Sequence, residues 1–214
     1  MGMLQRLFGA ARKAQVAIRT ARWVVIDCET TGLDPARDRL LSIGAVAVQA
    51  GRIELADSFH AVLRQETPSA AENMLIHGIG ADAQRAGRPA PEVMWAFARY
   101  LGDGLPVAFH ASFDAAVVRR AMPDAAAPAV RESWLDLARL APALFPDRAR
   151  SHRSLDDWLQ AFGIAAYARH DALGDAYATA QLLLVVLAEA ERQRLARVGG
   201  LRRAADAIRL LAPR

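Results

Sequence analysis

The sequence predicts an α/β fold: a mixed central sheet that opens with a three-strand meander and is flanked by helices. Three observations carry this. Strand-like runs come first and close together, over 23–26, 40–48 and 53–63, the last two joined by a turn at Ala50-Gly51. Helical periodicity then takes over, broken by short buried runs, which is the order of a sheet covered by helices. The chain has 214 residues, 53% apolar and 23% charged, enough for one sizeable core. That composition excludes a disordered chain. The lone cysteine, Cys28, excludes a disulfide scaffold. The longest uninterrupted apolar run, 182–188, falls well short of the roughly 20 residues of a membrane span.

Taken in order, residues 1–21 form a basic extension in which Leu4, Leu7, Phe8, Ala11 and Ile18 lie at roughly helical spacing. Arg12, Lys13 and Arg19 interrupt it, so no secretory apolar segment forms. The main domain is expected over 22–198. It starts with the strand Trp23 to Ile26 feeding into Asp27. After the meander, residues 69–102 read as helical, with Val93, Ala96, Phe97 and Leu101 on one face. Leu105 to Phe109 reads as a short buried strand, Ala111 to Met122 as a helix, and Ser133 to Leu137 as a fifth strand. The Ala/Pro-rich segment 123–128 is a loop. Ser154 to Phe162 and Ala172 to about Arg197 read as helices, and Gly199-Gly200 as a break. Leu201, Ala204, Ala205, Ile208 and Leu211 then predict a basic terminal helix within a tail over 199–214.

The charge is unevenly placed. The net charge is +4, yet residues 1–22 carry five basic residues and no acid, and 192–214 carry seven arginines against Asp206. The body between them is therefore acidic. Basic ends suit a polyanionic partner. An acidic body binding the same partner needs something to neutralise it, such as a metal ion. Lys13 is the only lysine among 27 basic residues, so much of the arginine excess reflects genome composition.

Three sites carry candidate chemistry. In a strand, residues i and i+2 share a face, so Asp27 and Glu29 point one way and Cys28 the other. Two adjacent carboxylates repel when desolvated, and a divalent cation relieves this. Taken alone, this pair also fits a solvated strand end. Asp114 sits in the first turn of a helix that follows a strand, a place where any acid is favoured by the helix dipole. In His170-Asp171-Ala172-Leu173-Gly174-Asp175, Asp171 caps a helix and Asp175 lies one turn in, ahead of a strongly apolar stretch. His170 lies in the loop just before that helix, and an imidazole is suited to accept a proton from water.

Together, these residues bring a family into view. Val25-Ile26-Asp27-Cys28-Glu29-Thr30-Thr31-Gly32-Leu33-Asp34, the strand 40–46, Ile76-His77-Gly78-Ile79, Ala111-Ser112-Phe113-Asp114, and 170–175 followed by Ala176, Thr179 and Ala180 stand in the family order. Over residues 22–190 the chain resembles the DEDDh group of 3′→5′ exonucleases, those like the epsilon proofreading subunits of bacterial DNA polymerase III. The resemblance implies an RNase H-like fold and two divalent ions, Mg²⁺ or Mn²⁺. It implies Asp27, Glu29, Asp114 and Asp175 as metal-binding acids and His170 as general base. Thr30 and Leu33 become candidates to hold the terminal nucleotide. The related group with tyrosine four residues before the last acid is disfavoured, because position 171 is Asp. One departure stands out: Phe109-His110 replaces the His-Asn usual before the second motif, and His110 is a candidate for substrate contact or for a structural hydrogen bond.

The implied function is 3′→5′ hydrolysis of DNA, single-stranded ends preferred, releasing 5′-mononucleotides in proofreading or repair. The alternatives are an RNA-directed exonuclease, trimming tRNA or degrading oligoribonucleotides, and a non-catalytic nucleic-acid-binding relative. A DNA polymerase or sliding clamp is a candidate partner, since Gln5-Arg6-Leu7-Phe8 is similar to a short clamp-binding peptide. A membrane is not expected, and the single cysteine fits the cytoplasm. His77 is expected to pack and cap locally, Cys28 to be a core residue, Asp156 and Asp157 to be helix N-terminal acids, and Trp95, Trp134 and Trp158 to pack in or beside the core.

Overall fold

A computed structural model of the chain describes residues 11–123, 134–149, 151–166 and 169–211. Among them are five strands, β1 (Trp23–Thr30), β2 (Leu40–Gln49), β3 (Arg52–Val62), β4 (Leu105–Ala108) and β5 (Leu135–Asp136). The helices are α1 (Ala71–His77), α2 (Ala81–Ala86), α3 (Ala90–Leu101), α4 (Ala111–Ala121), α5 (Leu137–Leu144), α6 (Leu155–Ala161), α7 (Ala172–Arg192) and α8 (Val198–Leu211). The sheet order is β3-β2-β1-β4-β5. The meander β1–β2–β3 is antiparallel, whereas β4 joins β1, and β5 joins β4, in parallel. This is the mixed sheet expected from the sequence, with β1 at its centre.

The alternation along β1 sorts the core into two layers. Val24, Ile26 and Cys28 face a cluster with Ile43 of β2, Met94 and Phe97 of α3, and Val117 and Val118 of α4. Trp23 and Val25 face the other side, against Leu182, Leu183 and Val186 of α7, Leu140 of α5 and Trp158 of α6. Burial of these side chains is the main stabilising term, at about 25 cal/mol per Å² of apolar surface. It also places the next odd-numbered residues of β1, Asp27 and Glu29, on the α7 face.

Three departures from the sequence reading have local causes. The expected helical stretch 69–102 is three helices. Gly78, at φ 71°, closes α1 by donating its N–H to Met74 O, a left-handed turn that suits glycine. Arg88 is drawn onto the end of β3 through Arg88 N–H to Val62 O and Arg64 N–H to Arg88 O, so no helix passes through it. Further on, α7 stops at Arg192, five residues early, and Arg194 takes a left-handed φ of 62°. Gly199 and Gly200 do not break a helix but lie in the first turn of α8. A Cβ on Gly199 would sit 3.1 Å from Ala14 O, so its smallness admits the N-terminal segment. That segment pairs there through Ile18 N–H to Ala196 O and Val198 N–H to Val16 O. Ile18, Ala21, Val198, Leu201 and Ala205 are all buried in the α7-side core. Residues 1–10, with the Gln5–Phe8 segment, lie outside the described residues, as does most of the loop 123–128.

Candidate active site

The site forms where β1 ends against the start of α7. Asp171 is the N-cap of α7, its Oδ1 accepting the Gly174 N–H at 2.7 Å. Asp175 follows one turn later and is 6% exposed. Close approach of α7 to the sheet depends on Gly44, which pairs with Asp27 in the β1–β2 ladder. A Cβ at Gly44 would lie 2.2 Å from the Ala172 carbonyl carbon, so no larger residue fits there without displacing the helix. Asp27, Glu29 and Asp175 thereby converge, with one carboxylate oxygen from each within 4.8 Å of the others.

The electrostatics of this group are unfavourable without a cation. Burial, then the charges of Asp114, Asp175 and Glu29, push the Asp27 carboxyl well above the usual carboxylate range. Burial, then Asp175 and Asp171, push Glu29 up to about 7. Three hard oxygen donors, half-buried or buried and mutually repelling, fit a divalent ion such as Mg²⁺ or Mn²⁺.

Asp114 is not among those three. It lies in the first turn of α4, 4% exposed, beside Cys28, whose thiol and backbone pull its carboxyl group down. Burial still raises it to about 7, and its charge is the first that Asp27 feels. Cys28 is buried as expected, but it also touches Asp114. A contact across so many residues leaves no trace in local spacing.

His170 is exposed, in the loop before α7, with a left-handed φ of 60°. Its backbone N–H donates to Asp175 Oδ2 at 3.0 Å, which ties this loop to the acid cluster. The sequence reading missed Arg169. Its guanidinium pairs with Asp175 Oδ1 through Nη1 and with Asp156 Oδ1 through Nε at 2.7 Å. Asp156 is thus more than a helix N-terminal acid, whereas Asp157 is the helix N-terminal acid expected and, beyond that, forms a reciprocal cap with Ser154. In an arginine-rich chain, one more arginine beside a histidine carried no signal.

His110 is exposed at φ 62°, its backbone N–H donating to Asp136 Oδ1 at 3.1 Å and its ring edge-on to Phe109. Thr30 is 8% exposed, with Oγ1 donating to Gly32 O. Leu33 is 91% exposed on the loop after β1. Asp38 holds that loop by accepting from Thr31 Oγ1 at 2.9 Å and Asp34 N–H at 2.8 Å, and Arg120 clamps it by donating to Pro35 O. His77 packs as expected, buried with Nε2 near Asn73 Oδ1 and Nδ1 accepting the Ile79 N–H. Trp158 is core, but Trp95 is 46% exposed and does not pack as expected.

The exonuclease family profile (RNase_T) matches residues 24–183, about three quarters of the chain and every acid described above. The chain belongs to the exonuclease family. The chain is 34% identical over 164 residues to a DNA polymerase III of PolC type from Thermotoga maritima, covering 77% of this chain and 12% of that protein. It is 30% identical over 176 residues to the PolC-type enzyme of Listeria innocua, covering 82% and 12%. The chain thus spans about an eighth of the length of these relatives. Among solved structures, E. coli Exonuclease I in complex with a dT13 oligonucleotide superposes with a TM-score of 0.68 at 20% identity, over 81% of this chain and 42% of that one. Exonuclease X in complex with 5′ overhanging duplex DNA gives 0.61 at 26% identity, over 77% and 90%. The sheet order and flanking helices are those of the RNase H-like exonuclease fold. One described helix, α7, is long and apolar enough to cross a membrane by length and composition, but half of its apolar window is buried in this fold, and it carries Asp175.

The raised carboxyls make stability depend on pH and metal together. Glu29 and Asp114, at about 7, bind protons more tightly in the folded chain than their ordinary values of 4.5 and 3.8 allow in the unfolded one. Their contribution to metal-free stability is therefore greatest below about pH 4 and is lost as pH rises through about 7. In EDTA the melting temperature is expected to fall by several degrees between about pH 5 and about pH 8, and Mn²⁺ should raise it more at the higher pH. Thermal melts across that range, with and without metal, check this. A Mn²⁺ effect that is independent of pH would contradict it.

Proposed function

We propose that this exonuclease is a metal-dependent 3′→5′ exonuclease acting on DNA with a free 3′ end, single strands preferred, releasing 5′-mononucleotides in proofreading or repair. The observation that carries the reading is the convergence of Asp27, Glu29 and Asp175 from two elements within 4.8 Å. In this reading Asp27, Glu29, Asp114 and Asp175 hold two divalent ions, Mg²⁺ or Mn²⁺. When bound, such ions supply a water of lowered pKa and charge stabilisation at the scissile phosphate. His170, exposed at the mouth of the cluster, accepts the proton of the attacking water. Asp175 accepts the His170 N–H and so keeps the His170 loop beside the acids. Leu33 presents an apolar side chain to the terminal base, with the Thr30 backbone beside it. Asp38 and Arg120 keep that loop in one shape. His110 is near enough to the second motif to meet the substrate strand.

PolC-type relatives support a replication context, and a polymerase or sliding clamp is the protein partner we propose, in the cytoplasm. The test is digestion of 5′-end-labelled DNA and RNA of one sequence with Mg²⁺, Mn²⁺ or EDTA. Stepwise, metal-dependent shortening of DNA from the 3′ end, faster than that of RNA, is the expected result. Faster RNA shortening would replace DNA with RNA in this reading. No shortening of either, with the protein folded, would refute it.

A further inference from the structure

We propose that Arg169 is a built-in competitor of the divalent ion: it occupies Asp175 in the metal-free protein and is displaced when metal binds, staying leashed to Asp156. The inference rests on reading Asp27, Glu29 and Asp175 as a metal centre.

The geometry leaves little room for another role. Both oxygens of Asp175 are engaged, Oδ1 by the Arg169 guanidinium and Oδ2 by the His170 N–H. An ion that uses Oδ1 meets the Arg169 guanidinium there, and two cations on one carboxylate oxygen repel each other. The Asp175 side chain is only 8% exposed, whereas the other anchor, Asp156, is 67% exposed. One end of the guanidinium thus reaches into the acid cluster and the other is tied at its rim. Its positive charge also opposes the repulsion felt by Asp27 and Glu29.

A guanidinium cannot shed its proton at any ordinary pH, so deprotonation of Arg169 does not free Asp175 and an incoming cation has to compete with its charge. The exchange is uneven. Arg169 pairs with one of the three clustered carboxylates, whereas a compact ion of twice the charge meets all three at once. The consequence is a threshold: the acids are kept partly neutralised at low metal concentration, and the site fills only when the ion outcompetes the arginine. A pair that served structure alone would be indifferent to metal.

The test uses the full chain and two readouts besides turnover: Mn²⁺ titration followed by electron paramagnetic resonance, and thermal melts in EDTA and in Mn²⁺. In Arg169→Gln, Mn²⁺ should bind about tenfold more tightly, as expected when one charge-assisted hydrogen bond no longer has to be broken. The same variant should melt lower in EDTA and gain more on adding Mn²⁺. Arg169→Lys keeps the charge but cannot span both acids, so its affinity should fall between the two and serves if the glutamine variant is too unstable. Unchanged or weaker Mn²⁺ binding in these variants, when folded, overturns the proposal and leaves the metal centre standing. Absence of saturable Mn²⁺ binding in the wild type, or equal binding by Asp175→Asn, overturns both.

Discussion

Asp27→Asn is expected to lower metal-dependent hydrolysis by about a thousandfold or more, the loss of several kcal/mol of charge stabilisation at the reacting phosphate. The fold should survive, because Asp27 is a half-buried acid that its surroundings disfavour in the charged form. Replacing it with a neutral isostere removes repulsion among Asp27, Glu29, Asp114 and Asp175. The melting temperature in EDTA should hence stay level or rise, even as activity disappears. Single-turnover digestion of a labelled oligonucleotide gives the first quantity and a thermal melt the second. Activity within tenfold of wild type would remove Asp27 from the chemistry. A collapse in stability would mean that Asp27 holds the fold rather than a metal.

Among the glycines described, Gly44→Ala should have the largest effect. The added Cβ would lie 2.2 Å from one backbone atom of Ala172 and 2.3 Å from two others, and backbone cannot rotate away as a side chain does. Either the start of α7 moves or β2 bends. A cost of about 3 kcal/mol is expected, which for a chain of this size lowers the melting temperature by about 10 °C. The same displacement carries Asp175 away from Asp27 and Glu29, and a shift of about 1 Å at a reacting centre costs about a hundredfold in rate. Gly51→Ala is the control: φ is +74° there, but no atom lies within 4 Å of the added Cβ, so only about 1 kcal/mol of backbone strain is expected and activity should persist. Equal melting temperatures for the two variants would contradict the packing argument.

Much of the site was legible from short-range pattern. The unbroken apolar run Trp23-Val24-Val25-Ile26 announces a strand buried on both faces, and period two then places Asp27 and Glu29 together. Asp171 and Asp175 lie at the start of an apolar helix, where cap and first-turn acids are readable from sequence. What stayed hidden depends on contacts distant in sequence. The Cys28 thiol meets Asp114 across the β1–α4 crossover. Gly44 looks like any strand glycine until α7 is packed on it. Arg169 carries no local signal because its partners, Asp156 and Asp175, are set by how α6 and α7 pack. Helix ends were missed for the same reason. Residues 88 and 196–198 are held by backbone bonds to β3 and to the N-terminal segment, and these override local propensity.

The central claim is that Asp27, Glu29 and Asp175 are a metal centre. Anomalous diffraction from crystals soaked in Mn²⁺ with a nucleoside 5′-monophosphate tests it most directly. The account predicts a manganese peak within coordination distance, about 2.2 Å, of carboxylate oxygens from all three residues, with Arg169 turned away from Asp175. Manganese bound elsewhere would contradict it, whereas an Arg169–Asp175 pair intact beside manganese on all three acids would contradict only the displacement of Arg169.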